Sequence, residues 1–410
     1  MYLGRLTRHP AVGIVAALTA VIAGCSGSGA GSEGSQNGAG AACAAPGVTA
    51  DQVRIGLVYT DSGTGSSSLA SARAGIDARL GLINEQGGVN GRRIVYTWRD
   101  DESSDEGALR GATELVQKEN VFGLISTSSS LASALDGLAK QQIPVTGLVQ
   151  SGWGSYSNLF SFIYDVSPEI TARYIQGHQG DRVAFLMSGS EDFTRQIIAK
   201  YQASFQGAGL STNPDIISYT SGVDSPVRVA QLLESSRADS IVAFTDPRDL
   251  AEIMQAAQAR NVPLVSVVSL TGYDHSVLRA YGPALANVAM AVNFRPFEAG
   301  GAPIEQYRAA MARFSPAVVD PEQQFAMYGY LYADLFIRGL QAAGDCPTRE
   351  GFIDGLRRVA DYDGGGLVEP VNLANIANQP LQCNAFVRVS PDGTAFQLDN
   401  QRVCANGTTG

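Results

Sequence analysis

Three histidines are all that the 410 residues contain: His9, His178 and His275. None stands beside a cysteine or recurs with carboxylates at metal-ligand spacing, and Cys-x-x-Cys is missing, which argues against a zinc centre. Gly-x-Ser-x-Gly is missing as well. Met187-Ser188-Gly189-Ser190-Glu191 does not supply it, so a serine hydrolase would need a spatial Ser–His pair from His178 or His275. Gly63-Thr64-Gly65 is too short for a phosphate loop, and no Gly-Lys-Ser/Thr follows it. Neither an enzyme nor a cofactor is therefore expected. Basic residues are in short supply: 29 Lys and Arg face 39 Asp and Glu, a net charge of −10. The footprint of a nucleic-acid binder is not there. The apolar run Ala11 to Ala23 is too short to cross a membrane as a helix.

What is present is globular composition, 45% hydrophobic with 46 glycines, in a length that suits two or three domains. Residues 1–24 carry Arg5 and Arg8, no acid, and the short apolar run, the pattern of a secretory signal. The run ends Ile22-Ala23-Gly24-Cys25, with Ser26 next. These residues resemble the lipobox of bacterial lipoproteins. The resemblance implies cleavage before Cys25, lipidation of that residue, and anchoring to the cell membrane. Residues 26–42 are nearly all Gly, Ser and Ala, too poor in apolar surface to fold, so 25–50 reads as a lipidated cysteine on a flexible linker. Four further cysteines, Cys43, Cys346, Cys383 and Cys404, are an even number outside the cytoplasm and allow two disulfides in three connectivities. A hairpin between Cys383 and Cys404 would bring those two together and leave Cys43 with Cys346.

From Val53 the chain alternates strand and helix patterns. Val53–Tyr59 reads as a strand, Thr60–Ser68 as a polar loop, then a helix to about Gln86. A strand at Ile94–Trp98 and a helix from Asp105 follow. Val121–Ile125 is an apolar strand that runs into five hydroxyl residues, Ser126-Thr127-Ser128-Ser129-Ser130, before a helix carrying Leu131, Leu135 and Leu138. A strand ending in a serine-rich turn at a helix start collects backbone N–H groups, hydroxyls and the positive end of the helix dipole, a place for a small carboxylate. The plainer reading is one serine capping the helix. Ile143-Pro144-Val145 is the next strand. The series restarts after Ile163, with strands at Val183–Met187, Ile216–Tyr219, Ile241–Phe244, Leu264–Val268 and Val288–Val292. Helices follow from Pro303, and strands return at Ala385–Val389 and Ala395–Leu398. The βαβα order implies parallel sheets, whose ligands sit beyond the carboxyl ends of the strands.

Asn84-Glu85-Gln86-Gly87-Gly88-Val89-Asn90-Gly91, Arg99-Asp100-Asp101, Ser126–Ser130 with Ile143-Pro144, and Pro347-Thr348-Arg349-Glu350 stand in an order and spacing that resemble one family. It is the periplasmic solute-binding proteins of ABC transporters, in the group of the leucine/isoleucine/valine-binding protein. The resemblance spans nearly all of residues 51–400. It implies an α/β protein of two Rossmann-like lobes, the type I periplasmic-binding-protein fold, joined by a three-segment hinge. Lobe 1 is then 51–163 with 296–362, and lobe 2 is 164–295 with 363–404. It further implies a monomer that traps a small molecule between the lobes and docks on permease subunits.

Carried over residue by residue, Ser128 and Ser129 would hold a ligand carboxylate, with Thr127 or Ser130 near. Thr64 and Ser66, from the loop after the first strand, would face the ligand, and Phe193 would pack on it. One departure stands out. Amino-acid binders place a carboxylate just after the strand that corresponds to Leu264–Val268, and here Ser269-Leu270-Thr271-Gly272-Tyr273 offers none before Asp274. An ammonium buried without a partner is costly. Asp192 or Asp246 would have to substitute; otherwise the solute is a carboxylate without an amine, an amide, or an aromatic acid. Trp153 and Tyr273, each after a predicted strand, are candidate aromatic walls, or loop aromatics packed on their own lobe. Trp98 reads as core, and His178 as the partner of helix-terminal carbonyls. A sensor built on the same two lobes, and less favourably a secreted hydrolase, are the alternatives to a transport receptor.

Overall fold

Val53, Ile55, Leu57 and Val58 are shielded on both faces of one strand, the signature of a parallel sheet covered by helices on either side. The computed structural model describes residues 43, 45–63, 66–189, 192–374 and 379–410. The signal segment, Cys25 and the linker up to residue 42 lie outside the described residues.

The first half of the chain lays down β1 (Gln52–Tyr59), α1 (Ser66–Leu69), α2 (Ala72–Glu85), β2 (Arg93–Asp100), α3 (Asp105–Gln117), β3 (Leu124–Thr127), α4 (Leu135–Lys140), β4 (Val145–Gly147) and β5 (Leu159–Phe160). These strands form a parallel sheet in the order β2-β1-β3-β4-β5. The chain then crosses to a second sheet through α5 (Pro168–Gly177), β6 (Arg182–Ser188), α6 (Asp192–Gly207), β7 (Ser211–Thr212), β8 (Ile217–Tyr219), α7 (Pro226–Ser235), β9 (Ser240–Phe244), α8 (Pro247–Ala259), β10 (Ser266–Ser269), α9 (His275–Tyr281) and β11 (Ala289–Val292). It returns as α10 (Ala302–Phe314), α11 (Gln324–Ala342) and α12 (Arg349–Arg357), and crosses a third time to the antiparallel hairpin β12 (Cys383–Val389) and β13 (Phe396–Cys404). The second sheet runs β13-β12-β11-β10-β9-β6-β7, with β8 also on β6. Both parallel series are wound alike: the first strand of each, β1 or β6, has its immediate successor on one side and the later strands on the other. Each sheet therefore has a switch point, β1/β3 and β6/β9, where a crevice opens at the carboxyl ends.

Local signals place the elements. Ser104 accepts from the Gly107 amide at 3.0 Å and caps α3, Thr348 accepts from the Gly351 amide at 2.9 Å and caps α12, and prolines open α5, α7 and α8. The strand expected at Ile143-Pro144-Val145 starts later, at Val145. Pro144 has no N–H for a ladder and contributes only its carbonyl, to Leu124 N at 2.9 Å. Cys383 and Cys404 stand opposite each other on β12 and β13 and are bonded, as are Cys43 and Cys346.

α11 is apolar around nearly its whole circumference because it lies between the first sheet and α2. The two helices touch through glycine. A Cβ on Gly75 would sit 1.7 Å from the Ala326 carbonyl oxygen, and one on Gly329 would sit 2.0 Å from that of Ala72. Neither helix backbone can yield without moving off the sheet. Gly75→Ala is therefore expected to destabilise the protein by about 3 kcal/mol, as overpacking of a filled interior does; urea unfolding of the variant beside wild type measures it.

Candidate functional site

At the end of β3, Ser126, Thr127 and Ser128 are buried, Ser130 is half-buried and Ser129 is exposed. Much of the polarity here is already used. The Ser128 amide donates to Ser126 Oγ at 3.4 Å, the Ser130 amide donates to Ser128 Oγ at 3.0 Å, and Gln150 Nε2 donates to the Ser128 carbonyl at 2.9 Å. Thr127 Oγ1 is buried with no hydrogen-bond partner. The helix expected to start here does not. A 3-10 turn, Leu131–Ala134, comes first, and α4 has only six residues. The Ser130 side chain makes no cap bond, so the dipole contribution expected from sequence is small. In the loop after β1, Thr64 lies outside the described residues. Ser66 opens α1, and its hydroxyl donates to the Gly63 carbonyl at 2.9 Å.

On the second sheet, Asp246 and Tyr273 line a cavity of about 540 Å³ together with Thr220, Ser221, Asp249 and, from the start of α11, Phe325. The residues of the serine stretch do not line it. Asp246 caps α8 by accepting from the Arg248 amide at 2.9 Å, and its own amide donates to Ser188 Oγ at 2.8 Å. The Ser188 hydroxyl in turn donates to Asp249, which also accepts from the Ser221 amide at 3.2 Å. Asp249 is 7% exposed. Burial pushes its carboxyl above the ordinary range against those two hydrogen bonds, and the charges of Asp246 and Glu252 add to the rise. This wall joins three strand ends, β6, β8 and β9. Asp249, Ser188, Ser221 and Gln150 escaped the sequence reading, although each lies within a few residues of a predicted strand end.

Several expectations need correction. Tyr273 is not a free aromatic wall. It is 1% exposed, its ring packs on Phe297 and Phe294 with centroids 5.2 and 6.0 Å away, and its hydroxyl accepts from the Phe297 amide at 2.8 Å while donating to Glu298. Burial drives its pKa far up, with the Glu298 charge adding. Trp153 is fully buried among Leu131, Leu135 and Leu159, so it packs on its own sheet rather than at a cleft mouth. Trp98 is only half-buried, with the Arg73 guanidinium 4.8 Å from its ring centroid. Phe193 lies in α6, with its side chain outside the described part. His178 does meet helix-terminal carbonyls, Nδ1 standing 2.9 Å from Tyr174 O. Among the described residues no group of three or more His, Cys, Asp or Glu could hold a metal ion, and no helix is long and apolar enough to cross a membrane.

Two sheets wound alike, with crevices at their strand ends, and a cavity that borrows Gln324 and Phe325 from the returning helix define a hinged two-lobe binding protein. A family model for periplasmic binding proteins matches residues 52–394, and the chain belongs to that family. Membership implies ligand binding outside the cytoplasm. Solved structures share the fold. A fatty acid ABC transporter substrate-binding protein from Thermomonospora curvata is 18% identical, with 89% of this chain and 96% of that one covered and a TM-score of 0.75. The branched-chain amino acid transporter protein LivJ of Streptococcus pneumoniae, in complex with isoleucine, is 15% identical over 85% and 98%, with a TM-score of 0.71. A solute-binding protein from R. palustris in complex with benzoate is 18% identical over 88% and 97%, with a TM-score of 0.70. No curated protein sequence matches the chain.

The raised carboxyl of Asp249 yields a pH prediction. A folded-state pKa above the unfolded value of about 3.9 means that stability is fully present below that value and is lost as pH rises through the folded pKa. Asp249→Asn removes that loss. The variant should therefore gain on wild type as pH rises through the carboxylate range, whatever its stability at low pH. Thermal unfolding across about pH 4 to 8, a range that brackets carboxylate titration, measures the difference.

Proposed function

We propose that this protein is the solute receptor of an ABC importer, held at the outer face of the cell membrane as a lipoprotein through Cys25 after removal of residues 1–24. It works as a monomer and delivers its solute to the permease subunits. Lobe 1, residues 51–163 with 296–362, and lobe 2, residues 164–295 with 363–404, close on a small organic solute that bears a carboxylate or an amide. The observation that carries this reading is the matched winding of the two sheets. It places Thr127–Ser130 and Asp246 at switch-point strand ends, where such folds take ligands. Ser129 is the exposed hydroxyl of its stretch and meets the carboxylate, with Ser128 shaping the turn that presents it. From the family resemblance, Thr64, Ser66 and Phe193 are the further proposed solute contacts. Asp246, backed by Asp249, answers a cationic nitrogen in place of the carboxylate missing between Ser269 and Tyr273. Amino-acid-like solutes therefore head the order of preference, ahead of aromatic acids and amides. Contacts to both lobes stabilise the closed state that the permease recognises.

A thermal-shift panel of amino acids, aromatic acids and amides tests this. A true solute at one hundred times its dissociation constant should add about 2.7 kcal/mol to stability. Ser129→Ala should leave the unliganded protein unchanged and weaken binding about tenfold, whereas Ser128→Ala should also lower stability by about 1 kcal/mol, because the Ser130 amide loses its acceptor. A flat response across the panel overturns the reading.

A further inference from the structure

The loop that follows β1 is held by a side chain that the site description does not use. β2 ends in two adjacent carboxylates, Asp100 and Asp101, and both reach back across the sheet to that loop. Asp100 Oδ1 accepts from the amides of Asp61 at 3.0 Å, Ser62 at 3.3 Å and Glu102 at 2.9 Å, and Oδ2 accepts from the Ser62 hydroxyl at 2.6 Å. Asp101, fully buried, accepts from the Thr60 hydroxyl at 2.8 Å and the Ser103 amide at 2.8 Å. The Ser103 hydroxyl closes the ring on the Ser62 carbonyl at 2.8 Å. Glu102 and Ser103 both have φ of 53°, a left-handed conformation that non-glycine residues hold only when their surroundings fix it. Here the two carboxylates fix it, by taking the amides those conformations turn inward.

We infer that Asp100 is a positioning residue for the solute loop: it occupies the amides of Asp61 and Ser62, and so sets the position of Gly63, whose carbonyl accepts the Ser66 hydroxyl. This rests on the reading that Thr64 and Ser66 face the solute. It has a chemical corollary. Consecutive amides and a hydroxyl at a strand end are what a carboxylate solute would seek. In this loop the protein's own carboxylate already fills them, so an anionic group on the solute is directed to the serine stretch instead. The clamp is charge-assisted and stays ionised. Burial pulls the Asp100 pKa upward, but the Ser62 hydroxyl and the amides of Glu102, Asp61 and Ser62 outweigh it and hold the carboxyl below its usual range.

The experiment compares wild type, Asp100→Ala and Asp100→Asn by amide hydrogen exchange, with isoleucine, benzoate and decanoate as thermal-shift probes. In Asp100→Ala, protection of the Asp61 and Ser62 amides should fall at least about tenfold while the core strands keep theirs, since the loop opens locally. Asp100→Asn, which keeps an acceptor oxygen, should recover most of it. Any probe that shifts wild type should bind Asp100→Ala about tenfold more weakly and Asp100→Asn nearly as well, a pattern that simple loss of fold does not give. Equal protection at 61 and 62 in all three proteins, or a loss spread over the whole molecule, overturns the inference. A wild type that responds to no probe counts against the solute-receptor reading, while the exchange data still decide the clamp.

Discussion

Helix α11 is the spindle of the molecule. Each of the three segments that pass between the sheets packs on it. Phe162 meets Tyr328 and Tyr332 with ring centroids 5.5 and 5.4 Å apart, Phe294 meets Tyr328 at 5.8 Å, and the Tyr362 hydroxyl lies 3.2 Å from the Leu331 carbonyl. The body of the helix belongs to the first sheet, with Thr146 Oγ1 donating to the Tyr332 carbonyl at 2.9 Å and α2 pressed against it at Gly75 and Gly329. Its first residue belongs to the second: the Gln324 amide donates to the Tyr273 carbonyl at 3.0 Å and its side chain to the Leu270 carbonyl at 3.3 Å. Close-packed interiors transmit displacement instead of absorbing it. Tyr273, bonded through its carbonyl to the Gln324 amide, ties the second sheet to the N-terminus of this helix.

Much of this architecture is legible in the residues. The apolar runs at Val53–Tyr59, Val183–Met187 and Ile241–Phe244 are strands within a residue or two, because centre strands of a parallel sheet are apolar on both faces and leave an unambiguous trace. The helix starts at Asp105, Pro247 and Thr348 are equally plain, because capping chemistry is local. What fails is what depends on the far side of the fold. Trp153 and Tyr273 follow strand ends, as ligand-facing aromatics do, but Trp153 is enclosed by apolar side chains of its own sheet and Tyr273 packs on Phe294, Phe297 and Phe396. Trp98 errs the other way: its strand lies at the edge of the sheet, so its ring is covered by Arg73 in place of a further strand.

The polar groups of the candidate site show a second limit. A run of five hydroxyl residues reads as a generous supply of donors, yet Ser126, Ser128 and Ser66 each use their hydroxyls within a few residues of themselves. Short polar side chains compete for their own backbone, and sequence alone does not say which remain available. The acidic wall has the opposite character. Asp246, Ser188, Asp249 and Ser221 come from three strand ends, and only the winding order β9-β6-β8 makes them neighbours.

The bond between Cys43 and Cys346 also has a mechanical meaning. Strand β1 begins nine residues later, at Gln52, and lies inside its sheet between β2 and β3. A force drawn along the chain from its start would otherwise act on that strand and unzip it from β2 and β3 one ladder rung at a time. With residue 43 welded to the loop ahead of α12, the load passes into the helical layer and stops there.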